Sequence, residues 1–218
     1  MSNIKQYNCN SNAQLSQHFN VSEFKCKCGG SHNIINDSDL INMLEKLYTG
    51  LNCSRIIITS GHRCSYYDKK VGGSGRGKHV DGMAADIICY DMLNKIINSK
   101  LVCCKAQDLG FGGIARISDT ATHLDTRTGS RYLGDETVSL NTVTNDFYKY
   151  FGIEKETRYD VMNDNTVSDW AKVPVQQIID AGIMKGYDSG YFGGKDALTR
   201  EQFCRVLVNM RDKGIIKF

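Results

Sequence analysis

His79 and Asp86 stand seven residues apart in Gly-Lys-His-Val-Asp-Gly-Met-Ala-Ala-Asp-Ile, and His123 follows in Thr-His-Leu-Asp. Two imidazoles and one carboxylate can close around a single zinc ion. Structural zinc sites are usually four-coordinate and rich in thiolate. Hydrolytic sites combine three nitrogen or oxygen ligands with a water whose pKa falls to about 7. This donor set leaves one coordination position open, so it reads as a hydrolytic zinc centre first.

Ordered elements must hold these groups together. Leu40, Ile41, Leu44 and Leu47 fall at helical spacing over Ser38–Tyr48, with Asp37 or Ser38 as the N-cap. Arg55–Ser60 is short and β-branched, which predicts a buried strand stopped by Gly61, with Arg63 just beyond it. Met83–Cys89 is apolar except for Asp86, and a carboxylate in such a strand needs a partner. Asp91–Lys100 predicts a second helix with Met92, Leu93, Ile96 and Ile97 on one side. Two more strands are expected over Phe111–Ile117 and Thr120–Arg127, and strand alternation puts His123 and Asp125 on one face. The layout is α+β, with flanking helices around a small antiparallel sheet. The glycine-crowded run Gly72–Gly77 reads as a mobile rim leading to His79. It lacks the Lys-Ser/Thr ending of a phosphate-cradling loop.

The chain has 218 residues, 41% of them hydrophobic, enough to bury an ordinary core and to hold more than one domain. A net charge of +3 makes no case for a nucleic-acid partner and does not oppose approach to an anionic wall polymer. The first residues lack the apolar stretch of a secretory signal, and no apolar run approaches the roughly 20 residues that span a bilayer. The expectation is cytoplasmic synthesis, with release by another agent if the substrate lies outside. Nine scattered cysteines imply reduced thiols rather than a disulfide framework. Cys26-Lys-Cys28 before two glycines is half of a metal knuckle at most, and structural thiols or a redox-sensitive pair are the preferred reading. His18 and His32 read as ordinary polar residues.

After Arg131 periodicity fades through Asn165, apart from the aromatic segment Phe147–Phe151. This divides the chain into a domain over 1–135, a linker over 136–165 and a small helical repeat over 166–218. The repeat shows Trp170, a helix carrying Val175, Ile178 and Ile179, and a helix opening at Thr199 with Gln202 in the capping-box position. Trp170 and Phe203 read as core residues of that repeat.

Taken with their flanks, Ser60-Gly-His-Arg63, Val71-Gly72-Gly73, His79-x-x-Gly82-x-Ala84-Ala85-Asp86 and His123-Leu-Asp125-x-Arg127 resemble one family in order and spacing. They are similar to the zinc D-Ala-D-Ala carboxypeptidase-like peptidases, which belong with lysostaphin-type peptidases and the hedgehog zinc domain. That family includes D-alanyl-D-alanine carboxypeptidases and the L-alanyl-D-glutamate peptidases of phage endolysins. The lead Leu15-Ser-x-His18-Phe19-x-Val-Ser-Glu23-Phe24-x-Cys26 matches the start of the domain, so the likeness covers residues 15–130. The resemblance implies zinc ligands at His79, Asp86 and His123 and a substrate-carboxylate-binding arginine at Arg63. An arginine fork grips a carboxylate through two parallel hydrogen bonds.

Many relatives carry a general base two or three residues before the last ligand, where this chain has Ala121 and Thr120. Asp125 is the first candidate for that role and Asp119 the second. The competing role for Asp125 is to fix the tautomer of a ligand histidine. Gly77, His62 and Asp68 stand where relatives commonly have Ser, Tyr and Asn, which bears on surrounding contacts and leaves the ligand set intact.

The segment with Trp170-Ala, Gly182 through Gly190 and Thr199-Arg200-Glu201 resembles a single S-layer homology repeat, a type that attaches proteins to cell-wall polysaccharide. Relatives usually act as three repeats, so one implies homo-oligomerisation or weak binding, with Arg200 available to an acidic glycan group. The expected function is a zinc peptidase cutting a peptidoglycan stem peptide, as a phage or prophage endolysin. The rivals are a non-catalytic wall-binding module with structural zinc and a host carboxypeptidase remodelling its own wall.

Overall fold

The computed structural model describes residues 3–154, 164–186 and 192–218, and for 139–142 the backbone alone. The chain forms two compact units, Met1–Glu154 and Lys155–Phe218.

In the first unit β1 (Ile4–Tyr7) pairs antiparallel with β2 (Ile34–Asp37), which runs straight into α1 (Ser38–Gly50). Asp37 caps that helix by accepting from Asp39 N at 3.1 Å, and Leu40, Ile41, Leu44 and Leu47 are buried, as their spacing predicts. Next come β3 (Cys53–Ser60), the short helix α2 (Ser65–Lys70), β4 (Ala84–Asp91), α3 (Ser99–Leu109), β5 (Gly113–Arg116) and β6 (Ala121–Asp125). β7 (Tyr132–Asp135), β8 (Ser139–Thr142) and α4 (Phe147–Phe151) complete the unit. The main sheet runs β3-β4-β6-β5-β7-β8. It is mixed rather than purely antiparallel, because β5 and β7 pair in parallel. One face packs Ile56, Ile58, Ala85, Ile87, Cys89, Ile114, Leu124 and Leu133 into a core shared with α1, α3 and Phe19, Phe24, Phe111 and Phe147. Pleat alternation sends Asp86, His123 and Asp125 to the other face.

Asp91–Lys100 is not a helix, since Asp91 Oδ1 accepts from Leu93 N at 2.9 Å and Lys95 N at 2.8 Å, and Asn94 takes a positive φ of 60°. The aspartate side chain offers the backbone a turn in place of helical bonds, and helix begins only at Ser99 behind the Asn98 cap. Nor is the stretch after 135 a linker throughout. It carries β8 and α4, with Phe147 fully buried and Gln107 Oε1 accepting from Phe147 N at 2.7 Å. Residues 155–163 of that expected linker lie outside the described residues.

The second unit contains a 3-10 turn (Asp169–Ala171), α5 (Lys172–Asp180) and α6 (Arg200–Asp212). Thr199 and Gln202 form the expected capping box on α6. Buried Asp164 ties the unit together by accepting from Thr166 N at 2.7 Å and Phe192 N at 2.6 Å. Trp170 and Phe203 are not core residues of this unit: they are 84% and 51% exposed. The turn around Gly190 lies outside the described residues.

Candidate metal centre

Asp86 on β4 and His123 on β6 are direct cross-strand partners, which brings their side chains together on the face away from the helices. His79 arrives from the turn after the glycine run. That turn is docked on the end of β3 by two bonds: Arg63 N donates to His79 O at 3.1 Å, and His79 Nδ1 donates to Gly61 O at 2.7 Å. The resulting triangle is tight. His79 Nε2 lies 3.1 Å from both Asp86 Oδ1 and His123 Nδ1, and His123 Nδ1 lies 2.8 Å from Asp86 Oδ1.

Each of these side chains is fixed from behind. With Nδ1 committed to a carbonyl, His79 turns Nε2 toward the triangle. His123 donates Nε2–H to Asp125 Oδ2 at 3.2 Å and turns Nδ1 inward. The second oxygen of Asp86 is held by Arg63 Nη2. Burial alone would raise the Asp86 carboxyl, but hydrogen bonds and charge from His123 and His79 hold it well below the usual carboxylate range. Burial would lower His123, and the bonds to Asp125 and Asp86 outweigh it, so its pKa is pushed up to about 9.

A tetrahedral zinc with bonds near 2.0–2.1 Å separates its ligand atoms by about 3.3 Å. The three atoms here stand within about half an ångström of that spacing, and their donor types suit zinc. The residues present therefore fit the metal.

A family model described as peptidase M15 matches residues 17–125, half of the 218-residue chain. The chain belongs to the peptidase M15 family. An S-layer homology domain model matches residues 165–204. No curated protein and no solved structure matches the chain.

Around the triangle, the other anticipated residues sort by geometry. Arg63 is adjacent, with Nε donating to Ser60 Oγ at 2.8 Å and Nη1 reaching Asp68 Oδ1 at 3.5 Å. Asp68 also accepts from Gly75 N at 2.8 Å, so the glycine run is anchored at that point. Asp125 is wholly buried, and its oxygens are taken by His123 and by Arg127, whose Nε lies 2.9 and 3.0 Å from them. Its bonds to His123 and Arg127 overcome burial and keep the carboxyl low. Gly113 makes room for it, because a Cβ there would lie 2.1 Å from Asp125 Oδ2. Asp119 is exposed and paired with Arg116. Arg200 opens α6 in the second unit and is exposed.

Sequence reading passed over Glu136, the residue that follows β7. Glu136 is exposed, yet its carboxyl end is partly enclosed. Enclosure raises its pKa, against the opposing influence of His123, Arg63 and His79, while Asp86 adds to the rise. This carboxyl therefore lies within electrostatic range of His79, Asp86, His123 and Arg63. His62 is buried and its imidazole is lowered to about 4 by that burial, so it stays neutral. His18 behaves as the ordinary polar residue expected of it, 2.6 Å from Glu45 and stacked on Tyr48.

Proposed function

We propose that the chain is a zinc-dependent peptidoglycan hydrolase that cleaves a stem-peptide bond, as a D,D-carboxypeptidase or an L-Ala-D-Glu-type endopeptidase, and that it serves a phage or prophage as an endolysin. The supporting observation is the triangle of His79, Asp86 and His123. It offers three nitrogen or oxygen donors, each oriented from behind, in place of a closed thiolate cage. Zinc held there supplies Lewis acidity, activating water and polarising a peptide carbonyl.

The protein's own groups do the rest. Asp125 orients His123 and, with both oxygens taken, is not the proton acceptor. We assign that role to Glu136, whose raised carboxyl pKa suits a group that takes a proton from water and delivers it to the leaving amine. Arg63 steadies Asp86, and its longer contact to Asp68 is the one a substrate carboxylate would replace. Arg200 would meet an acidic group of the wall polysaccharide.

The test is digestion of purified peptidoglycan by zinc-loaded protein, with released amines counted and muropeptides weighed. Loss of terminal D-Ala identifies the carboxypeptidase, and a cut after L-Ala the endopeptidase. His123→Ala or a chelator abolishes release, and Glu136→Gln lowers kcat by about 10²-fold or more while zinc content is kept. A zinc-loaded protein that binds walls yet releases no amines would establish the non-catalytic module instead.

A further inference from the structure

Cys26, Cys28, His32 and Cys64 come together at a second place, with one ligand atom from each lying within 4.8 Å of the others. Three sulfurs and one imidazole nitrogen form the donor set of a closed structural zinc site, unlike the three nitrogen and oxygen donors of the catalytic triangle. Spacing alone conceals it, because the fourth donor comes from the residue after Arg63.

We propose that these four residues bind a structural zinc ion, or a similarly thiophilic divalent metal, which fastens the N-terminal lead to the loop that ends β3. Every sulfur accepts a backbone N–H, which fixes its position: Gly30 N reaches Cys28 Sγ at 3.2 Å, Cys64 N reaches Cys26 Sγ at 3.3 Å, and Tyr67 N reaches Cys64 Sγ at 3.4 Å. Cys26 and Cys64 face each other with their sulfurs 3.8 Å apart. His32 Nδ1 donates to Asn33 O at 3.2 Å, which leaves the Nε2 lone pair for a ligand role, and Nε2 stands 2.9 Å from Cys28 Sγ. The knuckle bends through Gly29, whose φ of +80° suits glycine alone among ordinary choices. The core thiols Cys89 and Cys103, by contrast, are buried among apolar side chains.

The position gives the site a purpose. Phe24 O accepts from His62 N at 3.0 Å, so the lead and the Gly61–Cys64 segment already run side by side. That segment supplies Arg63 and the carbonyl that orients His79. A metal joining Cys26, Cys28 and His32 to Cys64 fixes both from beneath, as a positioning device with no contact to substrate.

Elemental analysis of the purified, reduced full chain tests this directly, with about two zinc ions per chain expected and about one in either His123→Ala or Cys28→Ser. Cobalt substitution gives a readout independent of activity. A thiolate-to-cobalt charge-transfer band is expected in the wild type and in His123→Ala, because the catalytic triangle contains no sulfur. The metal should also shield Cys26, Cys28 and Cys64 from alkylation until a chelator is added, a measurement that needs no variant. The proposal is overturned if the metal-loaded protein shows no such band and these thiols alkylate freely, or if mass spectrometry finds Cys26 and Cys64 joined as a disulfide. A count that falls in Cys28→Ser but not in His123→Ala would support this site while removing the catalytic triangle.

Discussion

His123 carries the balance of the triangle, because Asp86 and Asp125 address its two nitrogens. In the metal-free protein its pKa is raised from 6.5 to about 9, so the stabilisation from its protonated form is complete below about 6.5 and is lost as pH rises through about 9. The same proton opposes the metal. Zinc affinity should therefore climb with pH up to about 9, and Asp125→Asn, which loosens the ring's orientation, should weaken zinc binding by about 10–100-fold. Competition with a chromophoric chelator across that pH range measures both effects, and an affinity flat with pH would contradict them. The three residues of the triangle were legible in sequence, two of them within one short motif. Asp125 was legible in face and in its two candidate roles, proton acceptor or holder of a histidine tautomer; strand alternation could not choose between them, because it carries no information about which neighbours occupy its oxygens. Glu136 was invisible, since it comes to the side of the sheet that carries the triangle through a pairing that local pattern does not encode.

That pairing is the parallel contact of β7 with β5, and at the scale of elements it explains where sequence reading stopped. Ser38–Tyr48 and Arg55–Ser60 were readable because periodicity and a cap or a glycine stop agreed. Tyr132–Asp135 and Phe147–Phe151 are too short for periodicity to distinguish them from loop, and burial by distant partners makes them structural. Phe147 provides the check. It is fully buried and stacked on Phe151 at 5.3 Å, so Phe147→Ala should destabilise the first unit by about 3–5 kcal/mol in urea unfolding, whereas a linker residue would change nothing.

At the scale of the molecule, the units part after Glu154, and the two family models fall one on each. A chain ending at Glu154 should fold, keep its metal and release amines from soluble muropeptides, yet lose most of its retention on sedimented cell walls. Equal retention with and without the second unit would detach wall binding from the S-layer homology repeat. The repeat was legible by its capping box and Thr-Arg-Glu opening. The exposure of Trp170 and Phe203 was not, because an aromatic residue reads as core whether its own unit buries it or not.

The facing of Asp86 and His123 across two neighbouring strands carries one more consequence. Sliding β6 by a single residue along β4 would turn His123 to the helix-covered side and leave no triangle to fill. An ion bound at this triangle would therefore favour the aligned sheet over the slipped one, since only the aligned register offers all three donors.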